Sequence, residues 1–202
     1  MVSVRESAER LFDRDAMKHL GQEGRDDHIV ALPPGEVQRD TERYGSLVVA
    51  ARVLMSLPSM IMQGGQQDGD TSAAAREKFE TCTPPPRLML SRYPPSAGRY
   101  VAHIDNDPAD PNYTVGTVGL RAVDRTYTCI LYLNDGWEPE HEGHLRLHHP
   151  SKSADVEVAV VEGADYTDVE PRGGRLVIFD SKLMLHEVRP SFAPRWAISA
   201  WI

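Results

Sequence analysis

The chain is poor in cysteine, in long apolar runs and in positive charge, and each shortage excludes something. Two cysteines, Cys82 and Cys129, are too few for a disulfide framework. A reducing setting, cytosolic or nuclear, is the default for such a chain. No stretch approaches the ~20 apolar residues of a membrane-spanning helix. The longest apolar region, 47–62, is broken by Arg52 and Pro58. The first residues, Met1-Val-Ser-Val-Arg-Glu-Ser7, contain no apolar core of a secretory signal. A formal net charge of −8 disfavours a surface that tracks phosphates, so neither nucleic acid nor membrane is expected as a partner. At 202 residues, 41% of them hydrophobic, the chain can bury one full core.

Periodicity divides the chain in two. Ala8, Leu11, Phe12, Ala16 and Leu20 recur at helical spacing and predict a helix over 6–20. Residues 25–32 read as a short strand stopped by Pro33-Pro34-Gly35. A second helix is expected over 38–57, with Leu47, Ala50, Ala51, Leu54 and Leu57 as its apolar stripe and Pro58 as its end. That stripe reads as a surface packed on a barrel. A glycine-containing loop over 63–71 and Pro84-Pro85-Pro86 follow.

Beyond them the pattern becomes one of short strands, at 87–92, 99–104, 126–133, 144–148, 156–161, 175–179, 185–188 and 196–201. Roughly eight strands separated by turn residues predict a mainly β fold, a jelly roll of the double-stranded β-helix kind. Residues 1–86 would supply helices and a first strand packed on a core of 87–202, the two forming one structural domain.

His103-Ile104-Asp105 is the only His-x-acid pair in the chain. On a strand, residues i and i+2 share a face, so both side chains can approach one ion. Two histidines and one carboxylate on one face of an octahedron is the arrangement of non-haem iron(II) oxygenases. The run from Gly173 to Trp201 offers the third ligand, His186, and nine positions later Arg195 at the start of the last strand. An arginine facing inward calls for an anion, and its planar fork suits a carboxylate. Arg195 and Trp201 are six apart and share a strand face. Ile130 shares a face with Tyr132, and His186 with Val188.

The order His103-x-Asp105, His186, Arg195 resembles the prolyl 4-hydroxylase group of 2-oxoglutarate oxygenases, above all the hypoxia-inducible-factor type. Arg99-Tyr-Val-Ala-His-Ile-Asp-Asn106, Thr126-Tyr-Thr-Cys-Ile-Leu-Tyr-Leu-Asn134, Gly143-His-Leu-Arg146 and Ala197-Ile-Ser-Ala-Trp201 match in order, and the likeness runs from about Arg25 to the C-terminus. The resemblance implies iron(II) on His103, Asp105 and His186, with 2-oxoglutarate as co-substrate. It implies that Arg195 and the Tyr132 hydroxyl take the distal carboxylate of 2-oxoglutarate. It makes Tyr93 and Tyr100 pocket tyrosines and Ile130, Leu145 and Val188 apolar walls, with Trp201 deeper. It implies ascorbate as reductant and a proline-bearing protein or peptide as substrate, with oxygen sensing as one role open to it. Asp27 and Arg125 match a charged pair at the substrate entrance, either a latch on a substrate loop or a plain surface ion pair. Departures are Gly143-His144 where the family has Gly-Gly, a long connection from Asp105 to Arg125, and a late start that lacks the family's opening helix and strand.

Other readings use the same residues. A halogenase would lack a carboxylate at Asp105, and a collagen-type enzyme would carry lysine at Arg195 and a secretory signal. A non-catalytic β-helix used for binding would have lost an iron ligand or Arg195. A hydroxylase of a small molecule is the enzymatic alternative. His141, His144, His148 and His149 invite a zinc reading, but His144 and His148 should face solvent, opposite Leu145. Cys129, opposite Tyr132, reads as a core thiol.

Overall fold

The computed structural model describes residues 3–64, 82–106, 126–149 and 165–202. The expected strand at 156–161 and Arg125 lie outside the described residues. Four helices come first in the chain: α1 (Val4–Asp13), α2 (Pro34–Arg39), α3 (Thr41–Tyr44) and α4 (Leu47–Gly64). Among them run β1 (Lys18–His19) and β2 (His28–Leu32). The rest is β: β3 (Leu88–Tyr93), β4 (Gly98–His103), β5 (Tyr127–Tyr132), β6 (Leu145–His148), β7 (Tyr166–Val169), β8 (Leu176–Asp180), β9 (His186–Ser191) and β10 (Arg195–Trp201). The major sheet has the order β1-β2-β3-β10-β5-β8 and the minor sheet β4-β9-β6-β7, with antiparallel pairing throughout. This is the expected double-stranded β-helix with helices in support.

Local chemistry explains where the boundaries differ from expectation. α1 starts at a capping box in which the Ser3 hydroxyl accepts from the Glu6 amide and the Glu6 carboxylate accepts from the Ser3 amide. It stops at Asp13, seven residues before the expected end, and Asp15 takes a positive φ. Lys18–His19 then pairs with β2 instead of continuing the helix. Pro34 does more than stop β2: it occupies the first turn of α2, where its missing N–H costs nothing. The expected single helix over 38–57 is broken by Gly45 at positive φ, where a Cβ would lie 2.6 Å from the Ser7 hydroxyl oxygen. Pro58 does not end α4, which continues to Gly64. An interior proline costs roughly 3 kcal/mol. Leu47, Ala50, Ala51, Leu54 and Leu57 are all buried on the same helix, and each buried leucine contributes about 1.5–3 kcal/mol. That burial anchors the turns before Pro58, and the helix tolerates the lost hydrogen bond there.

The helices cover one face of the major sheet. Leu11, Val37, Leu47 and Leu54 join Leu32, Leu88, Leu90, Cys129, Trp196, Ile198 and Ala200 in one apolar core. Strand parity sends alternate residues the other way, between the sheets: Ile130 and Tyr132 of β5 and Ala197 of β10 cluster with Leu145 of β6. Cys129 is the core thiol expected of it, with its pKa pushed up to about 12 by burial. No helix among the described residues is long and apolar enough to cross a membrane.

Candidate active site

His103 ends β4 and His186 begins β9, and the antiparallel register sets them directly opposite each other. Their rings lie 4.3 Å apart between centroids. Asp105 is not on the strand with His103, as the i, i+2 argument supposed; β4 has ended and Asp105 sits in the turn beyond it. Two bonds bring its carboxylate back. The Thr128 hydroxyl donates to Oδ2 at 2.6 Å, and the Trp201 indole N–H donates to the same oxygen at 3.2 Å. Next in the chain, the Asn106 amide donates to the Ser181 carbonyl at 2.9 Å. As a result His103 Nε2 lies 3.6 Å from Asp105 Oδ1 and His186 Nε2 lies 3.8 Å from Oδ2. One ligand atom from each of the three residues falls within 4.8 Å of the others.

The histidine tautomers suit a metal. His103 Nδ1 faces the Val101 carbonyl at 2.9 Å and His186 Nδ1 faces the Met184 carbonyl at 3.0 Å. A carbonyl only accepts, so each Nδ1 carries the proton and each Nε2 presents a lone pair toward Asp105. Burial, reinforced by the neighbouring His103, lowers the His186 pKa to about 4, which keeps it neutral and able to ligate. Burial pushes the Asp105 carboxyl upward. Its contacts with His103 and His186 and the Thr128 bond oppose that and hold it well below the usual carboxylate range.

Further along β10, Arg195 is buried at 3% exposure. Its Nε donates to the Gly143 carbonyl at 2.7 Å and its Nη2 to the Tyr132 hydroxyl oxygen at 3.3 Å. The guanidinium lies over the rings of Tyr132 and Tyr93, at 5.0 and 5.1 Å. Among the described residues no carboxylate pairs with it. A buried cation with donors to spare and no counter-ion is a receptor for an anion. The Tyr132 hydroxyl accepts from Arg195 and so keeps its own proton to donate. Ile130, Leu145 and Val188 are buried, and Ile130 and Leu145 share an apolar cluster with Tyr132.

The structure thus gathers His103, Asp105 and His186, and separately Arg195, Tyr132 and Tyr93. Tyr100 is stacked on His103, with centroids 3.8 Å apart and planes at 23°. Trp201 is buried, and its indole N–H goes to Asp105. Asp27 is 1% exposed and Arg25 of the same segment takes both its oxygens, at 2.6 and 3.0 Å, while its expected entrance partner Arg125 lies outside the described residues. The zinc alternative finds no support among the described residues. His141 accepts from the Glu138 amide, His144 meets the Trp137 ring, half-buried His148 faces Glu187 and His149 meets Thr167.

Thr128, Ser181 and Gly143 were missed as site residues. Thr128 and Ser181 hydroxyls lie 2.8 Å apart behind Asp105. Gly143 has φ +71°, and a Cβ there would come 2.7 Å from the Ser191 hydroxyl oxygen and 3.1 Å from Arg195 Cδ. Of the three, only Gly143 carries a sequence signal, as the glycine of the Gly143-His144 pair before Leu145.

Residues 88–202 match the family model of the 2OG-Fe(II) oxygenase superfamily. The human prolyl hydroxylase EGLN3 is 34% identical over 117 residues, 57% of this chain and 39% of that protein. A hypoxia-inducible factor prolyl hydroxylase of Caenorhabditis elegans is 30% identical over 152 residues, 74% of this chain and 16% of that protein. The chain therefore spans well under half the length of these relatives. A Pseudomonas putida prolyl-4-hydroxylase superposes with TM-score 0.63 at 21% identity, covering 96% of this chain and 80% of its own. A Trichoplax adhaerens prolyl hydroxylase, solved with a hypoxia-inducible factor peptide, gives 0.61 at 23% identity, covering 98% and 75%. At these identities the superpositions speak to the fold. With the match to residues 88–202, more than half of its length, the chain belongs to the 2OG-Fe(II) oxygenase superfamily.

Proposed function

We propose that this chain is a peptidyl-prolyl 4-hydroxylase acting on an intracellular protein, with iron(II), 2-oxoglutarate and dioxygen as requirements and ascorbate as reductant. The observation that carries the reading is the pairing of two sites in one barrel. Three ligand atoms converge within 4.8 Å, and a buried arginine without a counter-ion among the described residues shares the space between the sheets. The first is a donor set for iron(II), the second a receptor for a carboxylate, and 2-oxoglutarate has one end for each.

His103 Nε2, His186 Nε2 and a carboxylate oxygen of Asp105 would hold the iron. Arg195 and the Tyr132 hydroxyl would take the distal carboxylate, which fixes the direction in which the keto acid lies. Ile130, Leu145 and Val188 would exclude water from its methylenes. When bound, iron(II) supplies the coupled oxidation in which dioxygen converts 2-oxoglutarate to succinate and carbon dioxide and hydroxylates the substrate. The choice of a prolyl residue rests on the relatives named for that activity. Two free cysteines favour a reducing cytosolic or nuclear compartment. We also read residues 1–86 and 87–202 as one structural domain, because both contribute to one apolar core.

The test has two parts. Purified protein with iron(II), ascorbate and 2-oxoglutarate should form succinate, stimulated by proline-bearing peptides. Comparing the proteomes of cells with and without the gene should reveal prolines that gain one oxygen only when it is present. Absence of succinate formation across peptides and small molecules would sink the enzyme reading. Succinate formation without any enzyme-dependent proline oxidation would sink the substrate class.

A further inference from the structure

The segment leading into β2 is laid along β4, immediately before His103. The Val101 amide donates to the Gly24 carbonyl at 2.9 Å, and the Asp26 amide to the Arg99 carbonyl at 3.0 Å. The Arg99 amide returns a bond to the Asp26 carboxylate at 3.1 Å, and Arg25 bridges Tyr100 through the backbone. This pairing brings the Arg25 side chain over the Tyr100 ring, 4.8 Å from its centroid. Tyr100 in turn stacks on the His103 imidazole at 3.8 Å. Arg25 is held on its other side by both oxygens of Asp27, in an ion pair whose side chains are 6% and 0% exposed. Arg25 Nη2 also touches Met89 Sδ at 3.5 Å, and Met89 packs against Trp201, which holds Asp105.

His103 needs such support more than His186 does. His186 is 5% exposed and is flanked by Phe179 at 4.6 Å, whereas His103 keeps 20% of its side-chain surface exposed. Its Nδ1 bond to Val101 fixes the tautomer but leaves the ring a hinge about that bond. A ring clamped face-on by Tyr100 cannot swing.

We infer that Asp27, Arg25 and Tyr100 form a positioning column that fixes the His103 imidazole for metal binding. The inference rests on the reading of His103 as an iron ligand, and it gives Asp27 a part in metal binding. An ion pair this deeply buried is a costly way to fill space, since apolar side chains of the same volume serve stability as well or better. Its use here is orientation: the fork of Arg25 is fixed by two bonds to Asp27 and sits over an aromatic face.

The metal-free protein, titrated with cobalt(II) and followed by its ligand-field absorption, tests the column without turnover. Four variants are needed: Arg25→Met with Asp27→Leu together, Tyr100→Leu, Tyr100→Phe, and His103→Ala. Removing an outer partner of a metal-bound histidine typically weakens affinity about 10–100-fold. The double variant and Tyr100→Leu should each raise the cobalt dissociation constant by roughly 10-fold or more and alter the absorption bands. Tyr100→Phe keeps the stack and should bind cobalt(II) more tightly than Tyr100→Leu does. Near-UV circular dichroism and melting of the metal-free proteins establish that the fold persists; if the double variant does not fold, Tyr100→Leu decides. Wild-type affinity in Tyr100→Leu, with affinity lost in His103→Ala, overturns the column alone. Wild-type affinity in His103→Ala overturns the ligand assignment, and the column with it.

Discussion

Arg195 and Tyr132 meet with the arginine as donor, Nη2 to hydroxyl oxygen at 3.3 Å, which leaves the tyrosine proton pointing to a third party. Burial raises the Tyr132 pKa above that of an ordinary phenol, so the proton is present throughout the physiological range. On the proposed function the two residues would form one carboxylate receptor, with a charge from one and a directed neutral donor from the other.

Arg195→Met should raise the 2-oxoglutarate concentration needed for half-maximal succinate formation by about 10–100-fold, the equivalent of one charge-assisted hydrogen bond. Tyr132→Phe removes a neutral bond and should raise it up to about 10-fold. A 2-oxoglutarate titration of both proteins checks the ordering. Equal and unchanged requirements would remove the receptor assignment.

Gly143→Ala tests the same receptor from behind. The positive φ and the short distances from a new Cβ to Ser191 and Arg195 Cδ leave no place for a methyl group. Strain of this kind costs about 1–3 kcal/mol. The variant should melt earlier and show a 2-oxoglutarate requirement displaced in the direction of Arg195→Met. A protein with an unaltered requirement would show that Arg195 yields without consequence.

Thr128→Val removes the donor on Asp105 Oδ2 and strands the Ser181 hydroxyl, which lies 2.8 Å from the threonine oxygen. Metal affinity should fall about 10–100-fold. Trp201→Phe removes the longer, 3.2 Å bond and should act in the same direction with smaller effect. Competition between manganese(II) and a chelator measures both. Parity of Thr128→Val with wild type would mean that Asp105 is held by other means.

Acid should destabilise the metal-free protein through His186. Its pKa falls from 6.5 when unfolded to about 4 when folded, so between these values the unfolded chain binds the extra proton. The stabilisation is complete above about pH 6.5 and is lost as pH falls toward 4, by about 3 kcal/mol in all. Denaturant unfolding at steps through this window should show the decline, and His186→Gln should flatten it. An equal decline in the variant would assign the proton uptake elsewhere.

Much of the site was legible because strand parity and ligand chemistry are local. His103, His186 and Arg195 follow from residue type, spacing and face, while the role of Tyr132 came from the family likeness, with strand parity in agreement. Asp105 joins the cluster by a route the i, i+2 rule does not describe: that rule assumes a strand, and its carboxylate is turned toward His103 and His186 by Thr128, 23 residues later in the chain. The pairing of Asp27 with Arg25, two residues away, was not legible because the burial of that segment depends on β4, and sequence carries no measure of burial. Pro58 was given a local rule that α4 overrides by packing. The short strand Tyr166–Val169 was missed since its residues show little apolar alternation; it pairs at the minor sheet's edge with both faces largely polar.

β10 divides the molecule along its length. Trp196, Ile198 and Ala200 face the helices, while Arg195, Ala197, Ser199 and Trp201 face the space between the sheets. Neighbouring codons therefore answer to different demands. A change at an even position is felt first by folding, and one at an odd position first by the chemistry. Two independent dials sit on one seven-residue ribbon. Chemistry on this scaffold can thus be retuned by single steps that leave the foundation standing.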